Sequence, residues 1–399
     1  MHFAKKLRSR VLVTAVVTGF GVSGAGAQGL PPRPHLDAGR DSNSAAAYYD
    51  YGMSLLKSDP VKAEQAMIWA TRLDPAHADA WYGRWVAHVL SLPAAALESY
   101  LDVTTKKSPG QDSARRAIDA LRVKAEGLNP LLREASDRLF IERWIRDQMP
   151  PGVDVTDVNL DTFGRPDLGG WLAMSDGDFR VAERDYEAAI KEYPHAYGLH
   201  FDRARAFVLQ LALDSALREV RIYRDSARNG NETKRWWYIR TNEMTDYTIG
   251  RLEELKGNLP AARQEYDTAL IENLGFVPAH VALARLAIAG YDTAEALREY
   301  EAAAQVPDPP ICYLYGILLW AHHQGADAVL QFRRAIAADS DYVPPYLPLA
   351  ILEEGGGEDS VAALLYRRFI GGSPKTFAPQ VAIAQHRLDA LLARGPRHR

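Results

Sequence analysis

Along most of the chain, apolar residues fall three and four positions apart, the spacing of one helix face, and the helical stretches come in pairs joined by short turns. One skeleton recurs within this pattern. A turn glycine, Gly177, precedes a small residue, Ala182; a large ring, Tyr186, follows four later, and another small residue, Ala189, three after that. The same order returns in Gly257, Ala262, Tyr266 and Ala269, and again in Gly325, Ala328, Phe332 and Ala335. The intervals fix a period: Ala182 to Ala216, Ala262 to Ala296, Ala328 to Ala362 and Pro75 to Pro109 are each 34 residues. Twelve residues before each key alanine stands a further small residue, Gly170, Gly250 and Gly316 in the clearest copies and Ala204, Ala284 and Ala350 in the others. Small residues on facing helices let the two axes approach closely. The ring fills the gap to the next pair, and the turn glycine takes a backbone conformation that other residues resist. One such pair cannot bury its own apolar face, so the pattern predicts a stack.

These residues and their period resemble the tetratricopeptide repeat, which places small residues at positions 8, 20 and 27, an aromatic at 24 and often a terminal proline. Eight candidate units have their twentieth positions at Ala63, Leu97, Ala182, Ala216, Ala262, Ala296, Ala328 and Ala362. The Leu97 unit departs from the pattern, with Trp85 and Thr104 where small residues are expected. The resemblance implies an all-α fold, a right-handed superhelical solenoid of antiparallel helix pairs, interrupted here by a helical connector. It also implies a concave groove lined by positions 2, 5, 9 and 12 of each first helix. In this chain those positions bring Tyr49, Met53, Tyr82, Trp171, Phe201, Arg205, Tyr247, Arg251, Arg285, Tyr313, Ile317 and Trp320 into the groove. Tyr, Trp and Arg are the residue types that anchor interfaces, and such a groove suits an extended peptide or a helix of another protein.

The period also marks where the array breaks. Residues 44–110 read as an N-terminal pair of units after a flexible segment, 28–43. Residues 111–165 read as two helices and a loop connecting to a longer array over 166–376, and 377–394 as a helix capping its last apolar face. Residues 395–399 form a basic tail. The interval from Ala216 to Ala262 is 46 residues, twelve more than one repeat, so an insert lies near 225–238. It runs into Arg235, Trp236, Trp237 and Tyr238, a composition that serves either as a docking patch or as packing for an extended helix. The acids of the 152–166 loop lack the glycine and closing glutamate of a calcium loop.

Charge and composition narrow the function. Lys5, Lys6, Arg8 and Arg10 precede an uncharged apolar stretch from Val11 to Val22, and Ala25-Gly26-Ala27 has the small-x-small form of a signal-peptidase site. The chain is therefore expected to be periplasmic or secreted, cleaved after Ala27, with no stable membrane span afterwards. Removing residues 1–27 takes four cations from 47, leaving 43 against 51 acids and a formal charge of −8. That balance, with no long basic stretch, argues against nucleic acid. The single cysteine, Cys312, lies in an apolar run, so no internal disulfide braces the fold. Metal, phosphate and nucleophile motifs are missing: there is no HExxH, CxxC, Walker loop or GxSxG. No cofactor is called for. The sequence thus points to a non-catalytic scaffold or adaptor of the bacterial cell envelope whose partner is another protein. A small-ligand or glycan binder using the aromatic groove is the alternative, and association of copies through the groove is a third reading.

Overall fold

In the computed structural model of the chain, residues 31–37, 40–56, 58–93, 96, 109–129, 168–229 and 241–394 are described. The chain divides into two units, Met1–Pro32 and Arg33–Arg399, and every described helix lies in the second. Near its start come α1 (Ala45–Leu55), α2 (Pro60–Leu73), α3 (Ala78–Ser91) and α4 (Pro109–Leu128). The longer array follows with α5 (Leu168–Ser175), α6 (Phe179–Glu192), α7 (Gly198–Leu209), α8 (Leu213–Arg228), α9 (Asn242–Leu255) and α10 (Leu259–Glu272). It continues through α11 (Val277–Ala289), α12 (Thr293–Ala303), α13 (Pro309–Ala321), α14 (Gly325–Ala338), α15 (Tyr346–Gly355), α16 (Asp359–Gly372) and α17 (Ala378–Arg394). Within each of these two runs every helix packs on the next in sequence, so the molecule is the all-α solenoid of antiparallel helix pairs that the period implies.

The chain starts its helices with side-chain caps. Asp59, Asp178, Asp292 and Asp308 each accept a hydrogen bond from a backbone N–H three residues on, and Pro60 and Pro309 open their helices with the φ that a first turn needs. Between the two helices of a pair, one residue per unit is left-handed. Gly177, Gly257 and Gly357 fill it in three units, with φ near +80°, and Leu211, Tyr291 and His323 in the other three, with φ near +60°. All six stand five residues before the key alanine of their unit. His323 corrects the reading of Gly325 as a turn glycine: Gly325 is the first residue of α14, and the tight turn is made two residues earlier.

The pairs lock where a ring lies on a glycine. A methyl group at Gly170, Gly250 or Gly316 would come within 2.6, 2.5 and 2.6 Å of the rings of Tyr186, Tyr266 and Phe332. Each of those rings is fully buried. The N-terminal pair solves the same problem differently. Its small residues are Gly52 and Gly83, one and two positions from the repeat register, and both lie against the flexible side chain of Met67 where a ring would stand. The segment read as a flexible mature N-terminus contains Leu36, buried with Tyr48, Ala70 and Ala80, while Arg33 lies over the rings of Tyr48 and Trp69 at 5.5 and 5.0 Å. Residues 111–128 of the segment read as connector belong to α4, which packs on α3. The Arg235–Tyr238 cluster lies outside the described residues.

Buried polar groups brace the pairs as well. His280 in α11 places Nδ1 2.7 Å from Glu299 of α12 and Nε2 2.9 Å from the Leu274 carbonyl. Both ring nitrogens face acceptors, which favours the doubly protonated imidazolium. Burial opposes that charge, but the hydrogen bonds to Glu299 and Leu274 outweigh it and hold the pKa above the usual histidine value. His200 makes the same contact with Glu219 in the unit built on Ala216, at 2.6 Å.

Two outcomes are expected. Gly316→Ala should cost about 1–3 kcal/mol in urea unfolding, because a buried phenyl ring must move, while Gly355→Ala, whose methyl meets nothing within 4 Å, should be neutral or gain up to about 1 kcal/mol. For His280, the folded pKa lies above the unfolded value of about 6.5, so its contribution is complete below that pH and fades as pH rises through the folded pKa. The stability difference between the parent and His280→Gln should therefore be larger at pH 5.5 than at pH 8.5, and equal differences at both would contradict the imidazolium assignment.

Candidate protein-binding groove

Where the groove residues lie decides what the groove can hold. Tyr82 is buried with Leu56, Ala63, Val86 and Ala125, and Trp171 with Met174, Ala182, Tyr186 and Leu199. Phe201 is 1% exposed and packs edge-to-face on Tyr223 at 5.7 Å. Arg205, 2% exposed, sits 3.2 Å from the equally buried Asp202 one turn earlier. Tyr49 is half-buried against His77, and Met53 packs on the Tyr82 cluster. Tyr313 packs edge-on to Tyr342, while Ile317 and Trp320 pack partly against Leu319, Ala328, Phe332 and Leu349. Arg251 is half-buried, and only Arg285 of this set, 48% exposed at its side chain, stands well clear of the protein.

Tyr247 is covered for a reason outside the repeat. Its hydroxyl donates to the carbonyl of Gly127, at the C-terminal end of α4, at 2.6 Å. Burial pushes that hydroxyl's pKa up. A methyl group at Gly127 would come within 2.8 Å of Pro278, at the second position of the next unit. Lys124, one turn back, pairs with Asp308, the cap of α13. From α2, Arg72 reaches Asp339 at 2.8 Å and Asp341 at 3.4 Å, just before α15. The N-terminal module thus runs along the edge of four successive units, its cations on the array's acids. The α4 terminus covers position 5 of the unit built on Ala262, Tyr247, and position 2 of the unit built on Ala296, Pro278.

Positions 9 and 12 stay at least partly exposed from Arg251 to Ile351, whereas Trp171, Met174 and Arg205, at the same positions of the two preceding units, are buried; position 12 of one unit and position 9 of the next form each junction. At the first junction of this strip Glu254 accepts from Arg285 Nη2 at 2.6 and 2.7 Å, from Arg251 at 3.0 Å and from the Tyr266 hydroxyl at 2.6 Å. Burial alone would raise the Glu254 pKa; the tyrosine hydroxyl and the two guanidinium groups outweigh it and hold the carboxylate below its usual value. The same register positions are Ile288 and Ile317 at the next junction, and Trp320 and Ile351 at the one after. At the last, Glu354 accepts from the Tyr366 hydroxyl at 2.8 Å and from Arg387 and Arg394 of α17, both at 3.0 Å. Here too burial raises the pKa and the hydroxyl and guanidinium bonds bring it below the usual value. Glu254 and Glu354 were absent from the groove set read from the sequence, although both occupy position 12. A weighting toward Tyr, Trp and Arg passed over the acids that organise those arginines.

Two further groups answer questions of chemistry. The Cys312 thiol is buried, and burial pushes its pKa up, which disfavours the nucleophilic thiolate. Among the described residues no group of three His, Cys, Asp or Glu side chains is placed to hold a metal ion.

Comparison with known proteins adds one match within the array. The tetratricopeptide repeat family matches residues 168–231, the stretch from α5 through α8. No curated protein matches the chain. Among solved structures, the chain is similar to the C-terminal part of a TPR repeat-containing protein from Cytophaga hutchinsonii, at 14% identity, covering 54% of this chain and 80% of that one with a TM-score of 0.41. It is similar to YrrB, described as a TPR protein with an unusual peptide-binding site, at 14% identity over 50% of this chain and 96% of that one, TM-score 0.37. The human IFIT1 dimer with m7Gppp-AAAA matches at 13% identity over 88% and 72%, TM-score 0.40.

The docked α4 generates a prediction. Partly exposed ion pairs contribute up to about 1 kcal/mol each, so Arg72→Ala combined with Lys124→Ala should speed hydrogen exchange in α4 on the order of tenfold. Parent protein moved from low to 0.5 M salt (roughly a 4 Å screening length) should shift toward the variant. Unchanged exchange in both comparisons would mean that apolar packing alone holds the module.

Proposed function

We propose that the protein is a non-catalytic adaptor that holds a segment of another protein in the strip formed by positions 9 and 12, and that it does so outside the cytoplasm after losing residues 1–27. The observation that carries the reading is the strip itself: a continuous run of partly exposed apolar and guanidinium groups on a rigid stack of helices. Fixed side chains on a rigid scaffold lose little freedom on binding, and aromatic and arginine side chains give the most per contact. The family match at 168–231 supports a binding scaffold, and the buried Cys312 supports a role without thiol chemistry. The basic, apolar, small-residue order of residues 5–27 supports export. No helix among the described residues is long and apolar enough to cross a membrane.

The test is recovery of the tagged chain from its own host after cross-linking in cells. The chain should appear in the extracytoplasmic fraction with Gln28 as its first residue, and one protein should be enriched with it. Ile288→Asp, at a site 46% exposed in the parent, should remove that protein while leaving the helical circular dichroism unchanged. A chain retaining Met1 in the cytoplasm would overturn the export, and enrichment indifferent to Ile288→Asp would overturn the strip.

A further inference from the structure

The open strip has an ordered charge pattern. One end carries Glu254 with Arg251 and Arg285, two cations on one anion. The other carries Glu354 with Arg387 and Arg394, again two on one. Between them the register positions are Ile288, Ile317, Trp320 and Ile351, with no charge. Each end therefore keeps one unit of positive charge after its own acid is satisfied. The guanidinium groups also keep donors facing water. Arg285 reaches Glu254 through Nη2 alone, with its side chain 48% exposed, and Arg387, 41% exposed, reaches Glu354 through Nη1 and also hydrogen-bonds Tyr366. A guanidinium edge with two spare N–H groups matches a carboxylate in the bidentate form. The two acids are what hold these arginines in place: without Glu254 and Glu354 the long side chains would sample many rotamers and bind nothing in register.

The positions that α4 covers select the conformation of what lies in the strip. An α-helix with its side chains is about 10–12 Å across, and it would need positions 2 and 5, where the α4 terminus sits on Tyr247 and Pro278. An extended chain is narrower, roughly 5 Å, and needs neither Tyr247 nor Pro278. The two charged ends are three units apart. At roughly 10 Å for each packed helix that is on the order of 30 Å, which extended chain crosses in about nine residues at roughly 3.3 Å each.

From this arrangement we infer that the strip takes an extended peptide segment with an apolar middle bracketed by carboxylates about nine residues apart. The inference rests on the adaptor reading above and adds the chemistry of the segment. The apolar side chains of the segment cover Ile288, Ile317 and Trp320. Its acids engage Arg285 at one end and Arg387 or Arg394 at the other.

The test uses a random dodecapeptide library panned against the purified mature chain, with enriched peptides remade and measured by fluorescence anisotropy. Enriched sequences should carry Asp or Glu on both sides of an apolar stretch. Replacing those acids with lysine should weaken binding more than tenfold, and Arg285→Ala or Arg387→Ala should each weaken it about tenfold, with the loss growing smaller in high salt. Enriched peptides that lack the flanking acids but still lose binding with Ile288→Asp would overturn the bracketing and leave the adaptor reading standing. Peptides indifferent to Ile288→Asp, or no enrichment at all, would overturn both.

Discussion

Everything in this molecule hangs on the contact between the ring at position 24 and the small residue at position 8 of the same helix pair. With glycine at Gly170, Gly250 and Gly316, the rings of Tyr186, Tyr266 and Phe332 lie directly on the facing backbone, closer than any side chain would permit. That contact sets the distance between the two helices, and the distance sets how the next pair stacks. In two units the ring also reaches further. The hydroxyls of Tyr266 and Tyr366 bond the position-12 acids Glu254 and Glu354, which in turn orient the groove arginines. Structural and binding surfaces therefore share one side chain, and a loss of packing at Tyr266 would disorder both Arg251, which it bonds, and Arg285, which it reaches only through Glu254.

The array tolerates large departures from its own pattern where another residue satisfies the same physical need. Met67 replaces a ring because its unbranched thioether bends into the space between Gly52 and Gly83. Leu211, Tyr291 and His323 replace glycine in left-handed turns at a cost of roughly 1 kcal/mol each, since the caps and helix ends on both sides fix the turn. Position 4 shows the same freedom: His200, Asp246, His280 and Cys312 occupy it in successive units, each met by a different neighbour. His200 and His280 use the glutamate of their own second helix, and Asp246 uses Arg224 and Arg228 of the preceding unit at 3.6 and 2.7 Å.

What the sequence revealed is what depends on spacing alone. The 34-residue period and the pairing of helices arise between residues within a few turns or one repeat of each other, while the rings, expected to fill the gap to the next pair, lie on the position-8 glycine of their own pair. The turn in the Ala328 unit was misplaced because a glycine stands two residues after the histidine that makes it. The course of α4 was not legible. Tyr247 bonds a backbone carbonyl 120 residues earlier, and Arg72 meets Asp339 across 267 residues. Such partners carry no local signature, since lysine, arginine and aspartate at these positions look like any solvated face. Of the twelve groove positions, Tyr82, Trp171, Phe201, Arg205 and Tyr247 are buried, Tyr247 with the end of α4 bonded to its hydroxyl.

The docking of α4 also changes what kind of polymer the array is. A stack in which each pair touches only its neighbours unfolds like a one-dimensional chain, fraying from its ends with a stability that sums local terms. Here α2 and α4 tie residues 72, 124 and 127 to residues 339–341, 308 and 247, spanning units that otherwise communicate only in sequence. Opening the units between α9 and α15 must also break these ties, so their fraying is coupled to the N-terminal module. The array gains the cooperativity of a globular domain while keeping the extended surface of a solenoid.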